Sequence, residues 1–280
     1  MDMTILGFLA APFVASLVIA GIHAYLGLHV VQRGVIFVDL SLAQIAAFGA
    51  TVAVLLPFTG GDPHSNWVYW ISLVFTLIGA VLFSTVRSRR ARIPQEAIIG
   101  ITYAVASAAT IVATSKATSE SEHLKDMLVG NILAVTWEDV GRTALLYAAI
   151  GAFHYVYRRR FLLISLDPQK AEAEGISIKL WDFLFYASFG FVVTRSVSIA
   201  GVLLVFCYLV VPSVASILYA EKIGTRLAIG WTVGTVVSAL GVYLSLVLDL
   251  PTGATIVCTF GVVLALMALV RVMVPRRALA

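Results

Sequence analysis

The sequence predicts an all-α, polytopic membrane protein with about eight or nine transmembrane helices, and three observations carry that prediction. Of the 280 residues, 60% are hydrophobic and 12% charged, with a mean hydropathy of +0.98, which leaves too little polar surface for a chain that folds in water. Apolar stretches of about 20 residues, the length that crosses a hydrocarbon core of about 30 Å, recur from end to end. Segments such as LIGAVLF and CTFGVVLALMALV are apolar on every face, unlike the polar and apolar alternation of a membrane β-barrel.

Nine stretches read as spans: 4–27, 35–56, 67–87, 97–115, 140–157, 180–197, 199–219, 224–247 and 252–272. The first has only Asp2 ahead of its apolar run 5–25 in place of a basic leader, and it continues into GLHVVQRG where a cleavage site would need small residues. It reads as a retained span. The sixth and seventh meet at 194–200, a short polar break that must let two spans turn; one long interrupted helix there gives eight spans. The whole chain, 1–280, reads as a single transmembrane domain.

Basic residues test the span order, because Lys and Arg concentrate in cytoplasmic loops. Fifteen of the 19 fall in alternate loops: Arg33; Arg87, Arg89, Arg90 and Arg92; Arg158, Arg159, Arg160, Lys170 and Lys179; Lys222 and Arg226; Arg271, Arg276 and Arg277. Lys116, Lys125, Arg142 and Arg195 fall in the others. The expected topology is a multi-pass protein of the inner (plasma) membrane, with the N-terminus outside and the C-terminus in the cytoplasm. This asymmetry accounts for the net charge of +4 without a nucleic-acid partner. Cys207 and Cys258 lie within apolar spans and have the spacing of neither a disulfide framework nor a zinc knuckle. No GxxxxGK[ST] loop occurs, so ATP-driven work needs a separate ATP-binding subunit.

Function must be sought where the apolar helices are interrupted, since ionisable groups inside a bilayer are costly. Asp39 lies about one turn inside the second span, followed by Ser41, Gln44 and Thr51. At about 100° per residue Asp39 and Gln44 stand about 140° apart, whereas Ser41 and Gln44 share a face. Two readings stay open: a polar set that packs helices, with Asp39 near the headgroups, or a translocation path. His23 and His154 are isolated and read as hydrogen-bonded packing residues. Arg195, with no acid nearby in sequence, reads as snorkelling to the outer surface. Asp182 and Glu96, at cytoplasmic starts of spans, read as helix-terminus carboxylates. Pro212 breaks the seventh span, a kink of the kind that lines a cavity. Gly230, Gly234, Ser238 and Gly241 would let the eighth span approach another helix, in this chain or in a second copy.

Two loops stand out. The outer segment SKATSESEHLKDMLVGNILAVTWEDV carries Glu120, Glu122, His123 and Asp126, which could hold a divalent ion weakly but read better as a solvated face. The cytoplasmic segment 166–179, LDPQKAEAEGISIK, looks built to meet a protein: Asp167 and Pro168 start a short helix, KAEAE continues it and Gly175 ends it.

The chain resembles the integral-membrane permeases of bacterial ABC-type zinc, manganese and iron importers over nearly its whole length. The resemblance is carried by the second-span aspartate and glycine, QEAIIGI at the start of the fourth span, VGNILAVTWEDV, DPQKAEAEGI, SIAGVLLVFCYLVVPSVAS and LDLPTGATIV. It implies a permease homodimer in the lipid bilayer, with a cytoplasmic ATPase on each protomer and an extracytoplasmic metal-binding protein that delivers a divalent ion. This chain itself would bind no cofactor, the ATP sitting on the partner, and it would be no enzyme. The resemblance makes 166–179 the coupling element, with Asp167, Pro168, Ala171, Glu172 and Gly175 as its residues, and it makes Asp39 and Gln44 the candidate metal path. One departure matters. Many such permeases carry a histidine four residues after the aspartate, where this chain has Ala43; aligning on Gly49 puts Gln44 there instead, a neutral oxygen donor that suits zinc poorly. Zinc, manganese and iron therefore all stay open, as does a permease for a metal chelate or another small solute. A secondary transporter would show inverted repeats and several intramembrane acids, and neither is evident.

Overall fold

The computed structural model describes residues 3–59, 65–86, 93–115 and 132–273, and among them every regular element is helical. The described residues form eleven α-helices: α1 (Met3–Arg33), α2 (Val38–Val54), α3 (Asn66–Val86), α4 (Gln95–Thr114), α5 (Trp137–Val156), α6 (Arg158–Leu166), α7 (Pro168–Ala173), α8 (Ile178–Ala200), α9 (Val202–Tyr219), α10 (Ile223–Leu248) and α11 (Thr252–Met273). Each of the nine expected stretches is one helix. Seven are long and apolar enough to cross a membrane. The other two are α2, with 17 residues, and α5, which opens with Glu138, Asp139 and Arg142.

The helices terminate where local chemistry dictates. Gly34 at φ 68° stops α1 beyond Arg33, in a left-handed conformation that suits glycine. The polar break expected at 194–200 is not where the helix ends: α8 stays helical through Ala200, and the interruption is Gly201 at φ 76°. The polar side chains before it are absorbed, Thr194 by a hydrogen bond to Thr76 (3.1 Å) and Ser198 by donating to the Arg195 carbonyl. α8 and α9 are therefore two helices. At the start of α5, Thr136 and Asp139 form a reciprocal cap in which the Thr136 hydroxyl accepts from the Asp139 N–H and the Asp139 carboxylate accepts from Thr136.

The helices fall into two compact units. One comprises Met1–Val31, Val129–Tyr147 and Ile199–Ala280, and so holds most of α1, the first half of α5, and α9, α10 and α11. Small residues set its spacing. A Cβ on Gly27 would come within 2.0 Å of the Leu209 carbonyl, and one on Gly241 within 2.8 Å of Ile256 Cα, so both positions demand glycine. The stripe on α10 is used inside the chain: Gly234 faces Ala20, Gly230 faces Ala24 and Pro212, and Ser238 Oγ lies 3.0 Å from the Tyr208 hydroxyl. Trp231 adds a hydrogen bond from its indole to the Gly21 carbonyl. Pro212 is buried against this stripe, and the Ser213 hydroxyl donates to the Leu209 carbonyl in the same turn of α9.

The other unit comprises Gln32–Leu128 and Ala148–Ser198, with α2, α3 and α4, the end of α5, and α6, α7 and nearly all of α8. In this unit α2 packs on both α3 and α4 and is buried around most of its circumference. A Cβ on Gly49 would meet Phe75 Cβ at 2.9 Å and Ser72 Cα at 3.0 Å, and one on Gly79 would meet Ile45 at 2.7 Å. The Ser72 hydroxyl crosses to the Ala46 carbonyl at 2.7 Å. Gly49→Val is expected to cost about 1–3 kcal/mol by overpacking this crossing, lowering the thermal midpoint of the solubilised protein by roughly 5 °C. Gly261→Val, where an added Cβ meets nothing within 4 Å, is the comparison and should leave the midpoint in place.

Candidate functional site

The start of α2 is assembled from three helices. Its N-cap residue Phe37 offers no side-chain cap; the Phe37 backbone N–H donates instead to Glu96 Oε1 on α4, at 3.0 Å. Glu96 thus serves the N-terminus of a neighbouring helix, a cap in trans that complements the dipole of α2. Beside it Gln95 donates to the Phe83 carbonyl of α3 and to the Tyr186 hydroxyl of α8, so QEAIIGI ties α4 to both α3 and α8.

One turn into α2, Asp39 is 1% exposed, and its Oδ1 has no hydrogen-bond partner. The hydroxyl of Ser41 is likewise buried without a partner, and Gln44 is buried. The reading in which Ser41 bonds a neighbouring helix does not hold. Asp39 itself is enclosed within its unit. The helix keeps Asp39 and Gln44 on different faces, and among the described residues no three His, Cys, Asp or Glu side chains come together as a metal cluster. Glu120, Glu122, His123 and Asp126 lie outside the described residues. His23 donates from Nδ1 to the Ile19 carbonyl (2.9 Å) and sits edge-on to Tyr147. His154 bonds Ser188 through Nε2 (2.8 Å) and stacks on Phe161 at 4.2 Å between ring centroids. Both are hydrogen-bonded and buried beside aromatic rings.

Two charges occupy places the sequence reading did not give them. Asp182 is not a terminal carboxylate: α8 begins at Ile178, which puts Asp182 in its second turn, fully buried. There it accepts a hydrogen bond from Arg33 Nη1 at 2.7 Å, with the two side chains 1% and 0% exposed. Arg33 is not a solvated loop residue either. Its Nε donates to Ser165 Oγ on α6 at 2.9 Å, its guanidinium lies 3.9 Å above the Phe185 ring, and Ser165 donates onward to the Phe161 carbonyl. One buried pair therefore joins the end of α1 to α6 and α8. The only local hint was the setting of Asp182, between Trp181 and the aromatic run at 183–186.

α6 leads directly into the short helix the sequence singled out. Asp167 Oδ1 accepts from the Lys170 N–H at 3.0 Å, Pro168 occupies the first helical position, and Gly175 at φ 73° closes the other end. The closing bonds run from Ile176 N–H to the Ala171 carbonyl and from Gly175 N–H to that of Glu172, the paired pattern of a Schellman end. Within 166–179, Ala171 is fully buried and seats the helix on its own unit, whereas Asp167, Glu172 and Glu174 are exposed. Arg159 pairs with Glu174 at 2.9 Å.

A buried acid whose Oδ1 lacks a hydrogen-bond partner sits on a helix enclosed by apolar neighbours, and a six-residue helix capped at both ends presents exposed acids in the same unit. Together they define a membrane-transport subunit. The chain belongs to the ABC 3 transport family, whose family model matches residues 6–273. It is 23% identical over 251 residues to the manganese transport system membrane protein MntC of Listeria innocua, covering 90% of this chain and 86% of that one. It is 24% identical over 250 residues to a Haemophilus influenzae protein named "Probable iron transport system membrane protein", covering 89% of each. Among solved structures, PsaBC from Streptococcus pneumoniae in complex with Fab superposes with a TM-score of 0.76 at 24% identity, covering 93% of this chain and 90% of that one. That similarity shows the fold.

Proposed function

We propose that this chain is the permease subunit of an ABC importer that moves a divalent transition-metal ion across the inner membrane. It would act as a homodimer, with an ATPase on the cytoplasmic side and a metal-binding protein delivering the ion from outside. The N-terminus would lie outside and the C-terminus in the cytoplasm, which places α6 and α7 on the ATPase side, in keeping with the basic-residue asymmetry. Relatives named for manganese and for iron support the cargo class.

The observation that carries the reading is Asp39. A carboxylate oxygen without a protein partner, on a helix enclosed by its neighbours, is positioned to exchange partners with a passing cation. Asp39 and Gln44, on different faces of α2, would each meet the ion singly, and such weak coordination suits a transport path because the ion must be able to leave. Carboxylate and carbonyl oxygens without an imidazole suit manganese better than zinc. Segment 166–179 is the coupling element, with Asp167, Pro168 and Gly175 shaping its helix, Ala171 anchoring it and Glu172 presented to the ATPase. A second reading, import of a metal chelate, draws on the absence of an imidazole at the Gln44 position.

The test is uptake by the complex reconstituted with its ATPase and binding protein, supplied with manganese, ferrous iron or zinc, free or chelated. ATP-dependent accumulation of a free ion, manganese ahead of zinc, is expected. Accumulation of chelate alone would establish the second reading, and no ATP-dependent accumulation of any of them would reject both.

A further inference from the structure

The junction of α5 and α6 carries three consecutive arginines, Arg158, Arg159 and Arg160, and the first turn of α6 contains no acid to offset them. Arg159 and Arg160 line a cavity of about 420 Å³ together with Val156, Tyr157, Glu174 and Ile176, and Arg158 adjoins them in the chain. That volume lies in the range of small-ligand sites, about 300–1,000 Å³. Glu174 is the one acid in the lining and is already bonded to Arg159, so the wall keeps an excess of positive charge.

The flanking arginines are held by aromatic faces. The Arg158 guanidinium lies 4.4 Å from the Tyr155 ring centroid, and that of Arg160 lies 4.7 Å from the Trp181 ring and 5.6 Å from the Tyr157 ring. Stacking engages the plane of a guanidinium and leaves its N–H edge to point at an oxyanion. Immediately beside this charge, Tyr155 is 67% and Val156 70% exposed. Arginines and aromatic rings next to an exposed apolar helix face make up the chemistry of a membrane surface at headgroup depth.

We propose that this cavity binds the phosphate of an anionic phospholipid, whose acyl chains lie along the exposed face of α5. Basic pockets at the cytoplasmic ends of membrane helices take anionic headgroups in this way. The exposed apolar flank argues for a lipid over a free phosphate, which would leave that surface unused. Headgroup and Glu174 would share Arg159, placing the lipid at the C-terminal end of α7. The site rests on α5 spanning the membrane, and it is independent of which solute the chain moves.

The test is lipid retention by the purified full-length chain, delipidated and offered equimolar phosphatidylglycerol and phosphatidylcholine, read by native mass spectrometry. Phosphatidylglycerol is expected to be retained preferentially. Arg160→Gln should reduce the preference on the order of fivefold, and Arg158→Gln with Arg160→Gln should bring it close to parity. Lys179→Gln with Lys222→Gln removes the same charge elsewhere and should leave it intact. An unchanged preference in the arginine variants, or an equal loss in the lysine control, would overturn the site. So would loss of retained phosphatidylglycerol to excess inorganic phosphate, which would mark a free-anion pocket.

Discussion

Asp182→Asn is expected to be the most destabilising single substitution in the second unit. It leaves the Arg33 guanidinium charged in a setting where the side chain is 1% exposed, with its carboxylate gone. Removing one member of a buried ion pair costs about 3–5 kcal/mol, chiefly because the remaining charge cannot be solvated. The pair as a whole need not be stabilising, since both charges must first be desolvated, and this separates pairing from packing. Arg33→Met combined with Asp182→Leu should recover most of the loss, because no charge is then stranded beside Phe185. Arg33→Lys should fall between, keeping a cation but losing the Nε bond to Ser165 that reaches α6. Thermal unfolding of the solubilised chain checks the series. If Asp182→Asn melts with the wild type, the pair is not the fastening described here.

The second large effect is functional. A helix as short as α7 is not stable through its own hydrogen bonds, because helices under about 12 residues are marginal in water. It exists through Asp167 at one end, Gly175 at the other and the buried Ala171 between them. Asp167→Ala removes a cap worth about 1 kcal/mol, and Gly175→Val forces a branched residue into the left-handed region, at a cost of roughly 1–2 kcal/mol. Together they should melt α7 without touching a membrane-spanning helix. If α7 couples the permease to its ATPase, this double variant, like deletion of 168–175 or replacement of Glu172 and Glu174 by alanine, will hydrolyse ATP without driven uptake. Uptake and hydrolysis both at wild-type levels would remove α7 from the coupling role.

How much was legible in advance follows from how local each signal was. The caps of α7 could be read directly, because an N-cap and a Schellman end are decided within a few residues. The apolar runs gave nine helices for the same reason, although the break before α9 fell at Gly201 and not in the polar residues ahead of it. The small-residue stripe on α10 announced a close approach but could not name the neighbour, since Ala20, Ala24 and Ile256 are distant in sequence. Arg33 and Asp182 are 149 residues apart, and the aromatic setting of Asp182 hints at burial without naming its partner. Each was therefore read by its local setting, as a loop cation and a helix-terminus acid. Glu96 was recognised as a terminus carboxylate, but the terminus it serves belongs to another helix. Asp39 was visible as an acid in an apolar run; that its oxygen has no partner required the packing of α3 and α4 around it.

That oxygen is the centre of the transport account, and uptake by Asp39→Asn tests it most directly. Asparagine keeps the size of the side chain and removes its charge, so the bundle should assemble and bind its ATPase as before. In the reconstituted complex at matched protein amounts, ATP-driven uptake of the transported ion is predicted to fall on the order of tenfold or more, since even second-sphere changes cost about 10–100-fold in metal affinity. ATP hydrolysis should persist. Uptake at the wild-type rate in Asp39→Asn would contradict the account, and would make Asp39 a packing residue.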